Sequence, residues 1–289
     1  MTDIHTPLTR TIIDGAEVAH TDSRGDGEPL LLLHGGGLAD WMTPLAQTEE
    51  LKNRRVIRMV RAGYTGGPVP DGLTIADHAR HAATLLRRLD AAPAHVVAHS
   101  SAAAIALQLA VDEPSCVRTL ALVEPPLVEG LADPADLDAL AAAFGPVMGA
   151  AMAATARGDF AAAFDAFMPV VCGPDYRVAM DDALGAGLVD DAAAGSRHFF
   201  TSEVPALNGW TFDPAVTQPV LLIVGADSPP VQHRLTAHLA GRLKRASVVT
   251  VDHANHLMPL TAPAELARLI LARLILARLI LAGPVADRR

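Results

Sequence analysis

The stretch His95-Val96-Val97-Ala98-His99-Ser100-Ser101-Ala102-Ala103-Ala104-Ile105-Ala106 decides how this chain folds. A short apolar run of β type passes straight into an alanine-rich helical run. A serine stands at the junction, with a small residue two positions to either side. This is the sequence form of a nucleophile elbow, normally Gly-x-Ser-x-Gly. The flanking residues must be small because strand and helix approach closely at a sharp turn. Ser100 then sits at a helix N-terminus, where amide groups and the helix dipole favour developing negative charge. Both expected glycines are alanines here, Ala98 and Ala102, and taken alone the pattern also suits Ser100 as a helix N-cap.

Outward from the elbow, short apolar runs alternate with helical ones. Upstream, Thr11-Ile12-Ile13 and Glu17-Val18-Ala19-His20 form a hairpin pattern around Asp14-Gly15. Leu30-Leu31-Leu32-Leu33 follows, then a helical stretch over about residues 40–51, a strand at 55–60 and a helix over about 74–90. Downstream come a helix to about 111 and a strand at 117–123. Near-continuous apolar strands are what a parallel sheet covered on both faces requires. The alternation predicts a doubly wound α/β, mostly parallel sheet. It breaks at Glu124-Pro125-Pro126 and resumes at Pro219-Val220-Leu221-Leu222-Ile223-Val224, with a helix over about 231–242, a strand at 247–251 and a last helix from about 263. Residues 125–214 between these points are alanine-rich and helical, broken at Gly145-Pro146, Gly173-Pro174 and Gly185-Ala186-Gly187. The predicted division is a core of 1–124 and 215–289 with a helical lid inserted at 125–214.

The 289 residues are 51% hydrophobic and 19% charged, enough to bury a large core and too apolar for a disordered chain. A net charge of −9 without a basic stripe works against phosphate binding and excludes nucleic acid as an expected partner. The two cysteines, Cys116 and Cys172, have no metal-ligand spacing and read as reduced thiols. Met1-Thr2-Asp3-Ile4-His5 lacks the charged and apolar regions of a signal peptide, so the expected location is cytoplasmic.

Near the end, Arg268-Leu269-Ile270-Leu271-Ala272 recurs unchanged at 273–277 and 278–282. A five-residue step advances about 140° around a helix, which spreads the arginines and leaves no clean apolar face. The same arginines oppose a membrane span, since a charge near the bilayer centre costs at least ~2.5 kcal/mol. An overlong terminal helix is expected, its first copy packed on the sheet and the later ones leaving apolar surface that would suit a homo-oligomer.

Three further segments carry chemistry. Leu33-His34-Gly35-Gly36-Gly37 ends a strand in a glycine loop able to aim N–H groups at an oxyanion. Gly36 and Ser101, the residue after the serine, are its expected donors. Leu222-Ile223-Val224-Gly225-Ala226-Asp227 sets a carboxylate just after a strand. Val251-Asp252-His253-Ala254-Asn255-His256 sets histidines in the loop after the next. Ser, Asp and His in this order, each following a strand, is one known order of a catalytic triad.

Together these segments resemble a lid-bearing serine hydrolase of the α/β-hydrolase superfamily, of the esterase and lactonase type. The resemblance runs from about Thr11 to Leu271. It rests on His34-Gly35-Gly36-Gly37, Arg61-Ala62-Gly63-Tyr64, Ala98-His99-Ser100-Ser101-Ala102, Gly225-Ala226-Asp227 and Ala254-Asn255-His256. It implies Ser100 as nucleophile, His256 as its base and Asp227 as the acid that orients His256. His253 is a rival base. Glu124, after the strand before the insertion, is the alternative acid or a pocket residue. The loop at Arg61 lacks the family's usual serine after Thr65-Gly66-Gly67 and is expected to be structural.

The expected reaction is hydrolysis of a small, mainly apolar ester or lactone through an acyl-serine. Phe144, Met148, Met152, Phe160, Phe164, Phe167 and Met168 are candidates for an apolar pocket. The same triad would also serve C–C bond hydrolysis, perhydrolysis or ring closure, and a non-catalytic ligand-binding protein is a further reading. No metal or cofactor is expected, since there is neither a ligand grouping nor a nucleotide-binding glycine motif.

Overall fold

The computed structural model describes residues 7–128, 131 and 133–281, with side chains through 273. The expectations drawn from Met1–His5 and from the side chains of 274–282 lie outside the described residues.

Eight strands form one sheet: β1 (Thr9–Ile13), β2 (Ala16–Asp22), β3 (Asp26–Leu33), β4 (Arg54–Val60), β5 (Ala94–His99), β6 (Val117–Val123), β7 (Val220–Gly225) and β8 (Ala246–Val251). Their order is β1-β2-β4-β3-β5-β6-β7-β8. The first pair is the expected hairpin, with Ile13 opposite Ala16. Its turn holds Asp14 and Gly15 at φ 51° and 80°, the positive values that a tight two-residue hairpin needs. β2 joins β4 antiparallel, and from β4 to β8 every pairing is parallel.

The central strands are apolar throughout because both faces are covered. Leu31, Leu33, Val96 and Ala98 face the layer that contains the helices Ile75–Arg88 and Ala102–Asp112. Leu30, Leu32 and Val97 face the layer that holds Trp41, the inserted helices and the last helix. Thr74 starts the first of these helices with a capping box, exchanging hydrogen bonds with Asp77. The helix expected over 40–51 is shorter, a single turn at Thr43–Ala46 followed by a 3₁₀ turn at Glu49–Leu51.

Between β6 and β7 run helices Pro134–Ala156, Phe160–Cys172, Tyr176–Leu184 and Leu188–Ala194, a π-helical turn Phe199–Glu203, and Val204–Asn208. Gly173 and Gly185 end helices with φ of 86° and 105°, as expected of glycine at a C-terminus. Gly145-Pro146 does not break its helix, contrary to expectation. Gly145 has no Cβ to meet the proline ring, which removes part of the usual pre-proline clash. The helix Pro134–Ala156 is long and apolar enough to cross a membrane by length and composition, with 11% of its most apolar window buried. The last helix spans Pro263–Leu281 and buries Leu266, Ala267 and Ile270. Arg268 of the first repeat turns outward to Glu50.

Candidate active site

The functional side chains collect at the C-terminal ends of the parallel strands, where loops from neighbouring strands meet. Backbone hydrogen bonds fix their spacing. The Ser100 amide donates to Val123 O at 2.9 Å, the Glu124 amide to Ile223 O at 2.9 Å, and the Ala226 amide to Val251 O at 2.8 Å. The sheet ladder thus extends one step past each strand and sets the ends of β5, β6, β7 and β8 side by side.

Ser100 has φ 53°, a left-handed conformation that a side-chain-bearing residue adopts only where the surroundings enforce it. Ala98 and Ala102, in place of glycines, are fully buried and do not prevent the turn. The helix N-cap is Ser101, which makes no capping bond of its own, so Ser100 is not spent as a cap. Its side chain stands at the edge of the buried region.

His256 is buried, and its Nδ1 lies 3.5 Å from Glu124 Oε2. The other Glu124 oxygen accepts from the Gly225 amide at 2.7 Å and the Ser228 hydroxyl at 2.8 Å. This corrects the expected partner of His256. Asp227 is exposed, and its side chain makes no hydrogen bond among the described residues. Its contribution is through the backbone, the amide donating to Ala254 O at 2.9 Å. The physical reason is the close approach of the two loops. A Cβ at Gly225 would lie 2.1 Å from Ala254 O, so the His256 loop rests on the end of β7 and passes over Gly225 toward β6. His253, the rival base, is exposed. Asn255 ties the loop to the inserted helices, its Nδ2 donating to Cys172 O at 3.2 Å.

His99 packs against the elbow as expected. Its Nε2 donates to the carbonyl oxygen of His256 at 3.0 Å, and the two rings are 4.5 Å apart. Burial, reinforced by His256, holds His99 well below the ordinary histidine range, so it serves as a neutral donor.

The three glycines of the loop after β3 are required for three different contacts. A Cβ at Gly35 would lie 2.8 Å from His99 Nδ1, and one at Gly36 2.2 Å from the Phe199 ring. Gly37 has φ 77°, with Met168 and Phe164 of the inserted helices against it. The Gly37 amide donates to the Tyr64 hydroxyl at 3.0 Å. The amides of Gly36 and Ser101 have no hydrogen-bond partner among the described residues, although both residues are buried. Of the apolar residues expected to line a pocket, Phe164 and Met168 are buried beside this loop, whereas Met152 is exposed.

A buried ionic cluster adjoins the loop, and sequence reasoning missed it. Arg61 Nη2 donates to Glu203 Oε1 at 2.9 Å and to Gly35 O at 3.1 Å, with both ionic side chains 1% exposed. Glu203 also accepts from the Ser101 hydroxyl at 2.5 Å and from the Tyr64 hydroxyl. Burial would raise its carboxyl, but Arg61 and then the Ser101 and Tyr64 hydroxyls outweigh that and bring it down to about 2. Burial, assisted by Glu203, pushes the Tyr64 phenol well above its ordinary range and keeps it a neutral donor. His34 accepts from the Arg61 amide at Nε2, which leaves Nδ1 to donate to Gly35 O at 2.7 Å. The available signal was the lone carboxylate after Phe199-Phe200 in an otherwise apolar and hydroxylic run. A charge in such a run needs a buried partner, and Arg61 is one. No group of three or more metal-ligating side chains occurs among the described residues.

A family model, the alpha/beta hydrolase family, matches residues 30–269. Among curated proteins, a putative carbamate hydrolase RutD of Variovorax paradoxus is 28% identical over 261 residues, covering 85% of this chain and 91% of that protein. The acetyltransferase component of the acetoin cleaving system of Cupriavidus necator is 32% identical over 115 residues, 39% of this chain. The match spans 30% of that longer protein. Among solved structures, an N-acyl homoserine lactone degrading enzyme superposes with a TM-score of 0.67 at 19% identity, over 91% of this chain and 99% of that one. That last likeness is one of fold. The sheet order, the serine at its strained turn and the match over most of the length place this chain in the alpha/beta hydrolase family.

Proposed function

We propose that this hydrolase cleaves a small, mainly apolar ester or lactone through an acyl-Ser100 intermediate. The supporting observation is the placement of Ser100 at φ 53° on the end of β5 while His256 faces the buried Glu124 carboxylate at 3.5 Å. The proposed acid is Glu124, not Asp227. A carboxylate on Nδ1 selects the tautomer with Nε2 free, and Nε2 is the base that takes the Ser100 proton. The Oγ–carbonyl bond forms and the carbonyl oxygen becomes an anion held by the Gly36 and Ser101 amides, which have no partner among the described residues and so suit it. The C–O bond to the leaving alcohol then breaks and His256 returns the proton to it. Water, activated by the same histidine, hydrolyses the acyl-serine.

The helices inserted at 125–214 act in this reading as a lid. A cleft of about 320 Å³ lies between Gly37, Leu38 and Tyr64 on one side and the helix Leu188–Ala194 on the other, beside the glycine loop and not lined by Ser100 or His256. The apolar side chains of Phe164, Met168 and Phe199 beside the glycine loop favour an apolar acyl group. The carbamate-hydrolase relative and the lactone-degrading neighbour support attack on an activated carbonyl. The two buried, unpaired cysteines suit a cytoplasmic setting.

The test is labelling with a fluorophosphonate, in which an Oγ–P bond forms, fluoride leaves and His256 takes the proton. Peptide mapping should place the label on Ser100, and Ser100→Ala should abolish both labelling and p-nitrophenyl acetate hydrolysis. Retained turnover in the folded Ser100→Ala variant would overturn the assignment.

A further inference from the structure

Glu203 comes from the inserted helices, and it reaches every element that borders the proposed oxyanion site. Through its bond from the Ser101 hydroxyl it holds the residue after the nucleophile. Tyr64 donates to it and at the same time accepts from the Gly37 amide. Arg61 bridges it to the Gly35 carbonyl, both through the same Nη2. One carboxylate therefore fixes the loop on both sides of Gly36 and the start of the elbow helix. The Phe199 ring, one helical turn earlier, covers Gly36 itself. These two side chains sit on a π-helical turn, Phe199–Glu203, a rare geometry that is frequent at functional sites.

The charge balance fits a role in positioning. A bare carboxylate this close to a developing oxyanion would oppose it. Arg61 neutralises Glu203, so the hydrogen bonds remain while the repulsion is cancelled. Two Arg61 nitrogens, Nε and Nη1, have no hydrogen-bond partner among the described residues, so the guanidinium is committed to the pair and to Gly35, with the Tyr64 ring 5.0 Å away.

We infer that Glu203 is a positioning residue that assembles the oxyanion hole, so that Gly36 and Ser101 reach their working geometry only when the inserted segment is docked. The inference rests on the acyl-Ser100 reading above. It gives the insertion a role in the chemical step in addition to covering the site.

The experiment measures fluorophosphonate phosphonylation rates and steady-state p-nitrophenyl acetate kinetics for wild type, Glu203→Gln and Tyr64→Phe, with a thermal melt of each. A glutamine offers one acceptor oxygen where Ser101 and Tyr64 need two. Tyr64→Phe leaves the Arg61–Glu203 pair intact and removes the hydroxyl that joins the Gly37 amide to Glu203, so it keeps the question open to test if Glu203→Gln does not fold. The expected result is a fall in kcat of about tenfold or more for each folded variant. KM should stay within about threefold and the phosphonylation rate should fall in parallel, because the loss is confined to the transition state. Unchanged kcat in folded variants, with only the melting temperature lowered, would overturn the inference and leave the acyl-serine reading standing. Failure of the fluorophosphonate to label Ser100 in the wild type would overturn both.

Discussion

Glu124 receives the Gly225 amide and the Ser228 hydroxyl on one oxygen and turns the other to His256. Its own backbone is at φ 52°, a conformation that costs energy for a glutamate and is held by the ladder bond to Ile223. At this scale the two carboxylates can be separated by experiment. Glu124→Gln keeps the shape but loses the charge that stabilises the histidine cation, and the amide can present a donor that selects the wrong tautomer. A fall in kcat of about 10³–10⁴ is expected, by analogy with amide replacement of a triad acid. Asp227→Asn should leave kcat within about twofold, because the side chain is exposed and only its backbone amide is engaged. Steady-state kinetics on the two purified variants decide it, and the reverse ranking would restore Asp227 as the acid.

Among the elements, the glycine loop after β3 and the π-helical turn are tightly matched. Gly36→Ala would set a methyl group 2.2 Å from the Phe199 ring, a contact that real atoms do not make. Either the ring or the whole turn must move, and Glu203 moves with the turn. The expected outcome is loss of most esterase activity with a lower melting temperature, since overpacking a tight site costs typically ~1–3 kcal/mol. Replacing Phe199 as well, in a Gly36→Ala/Phe199→Ala double variant, should relieve the clash and recover part of the stability. Additive losses in the double variant would show that the two residues are not in contact.

For the molecule as a whole, buried titratable groups set the response to acid. His78 is brought down to about 3 by burial, with Arg61 adding to the effect. His34 and His99 are also held well below the ordinary range, chiefly by burial. A histidine neutral in the folded state and of ordinary affinity when unfolded binds more protons on unfolding. Its stabilising contribution is present above about pH 6.5 and is lost as pH falls from there toward the folded value. Glu203, held at about 2, adds a contribution that is lost as pH falls from the ordinary carboxylate range toward 2. Both act in the same direction. The urea midpoint should therefore fall continuously from pH 7 to pH 4, and a flat profile would contradict the burial of these groups.

Much of this was legible in the chain because it depends on local pattern. Apolar runs such as Leu30–Leu33, alternating with helical ones, matched strands buried on both faces and set a doubly wound sheet. The run through Ser100 marked the elbow, since a serine between a strand and a small-residue helix meets the same steric demand with alanine as with glycine. The glycine loop and the place of His256 after the last strand could be read in the same way. Which carboxylate faces His256 could not, because Glu124 and Asp227 each follow a strand and differ only in where the loops cross. The contact of Gly225 with Ala254 decides that, and it joins residues from two different strand ends. Glu203 and Arg61 lie 142 positions apart, and no periodicity links them. Their pairing follows from how the inserted helices dock on the sheet, where burying one charge requires the other. Sequence alone determined the scaffold and the strained turn at Ser100, because short-range sterics and hydrophobic burial leave few alternatives. Only the tertiary structure decided which carboxylate faces His256 and how the insertion reaches the glycine loop, because those depend on distances between segments that the chain brings together only when folded.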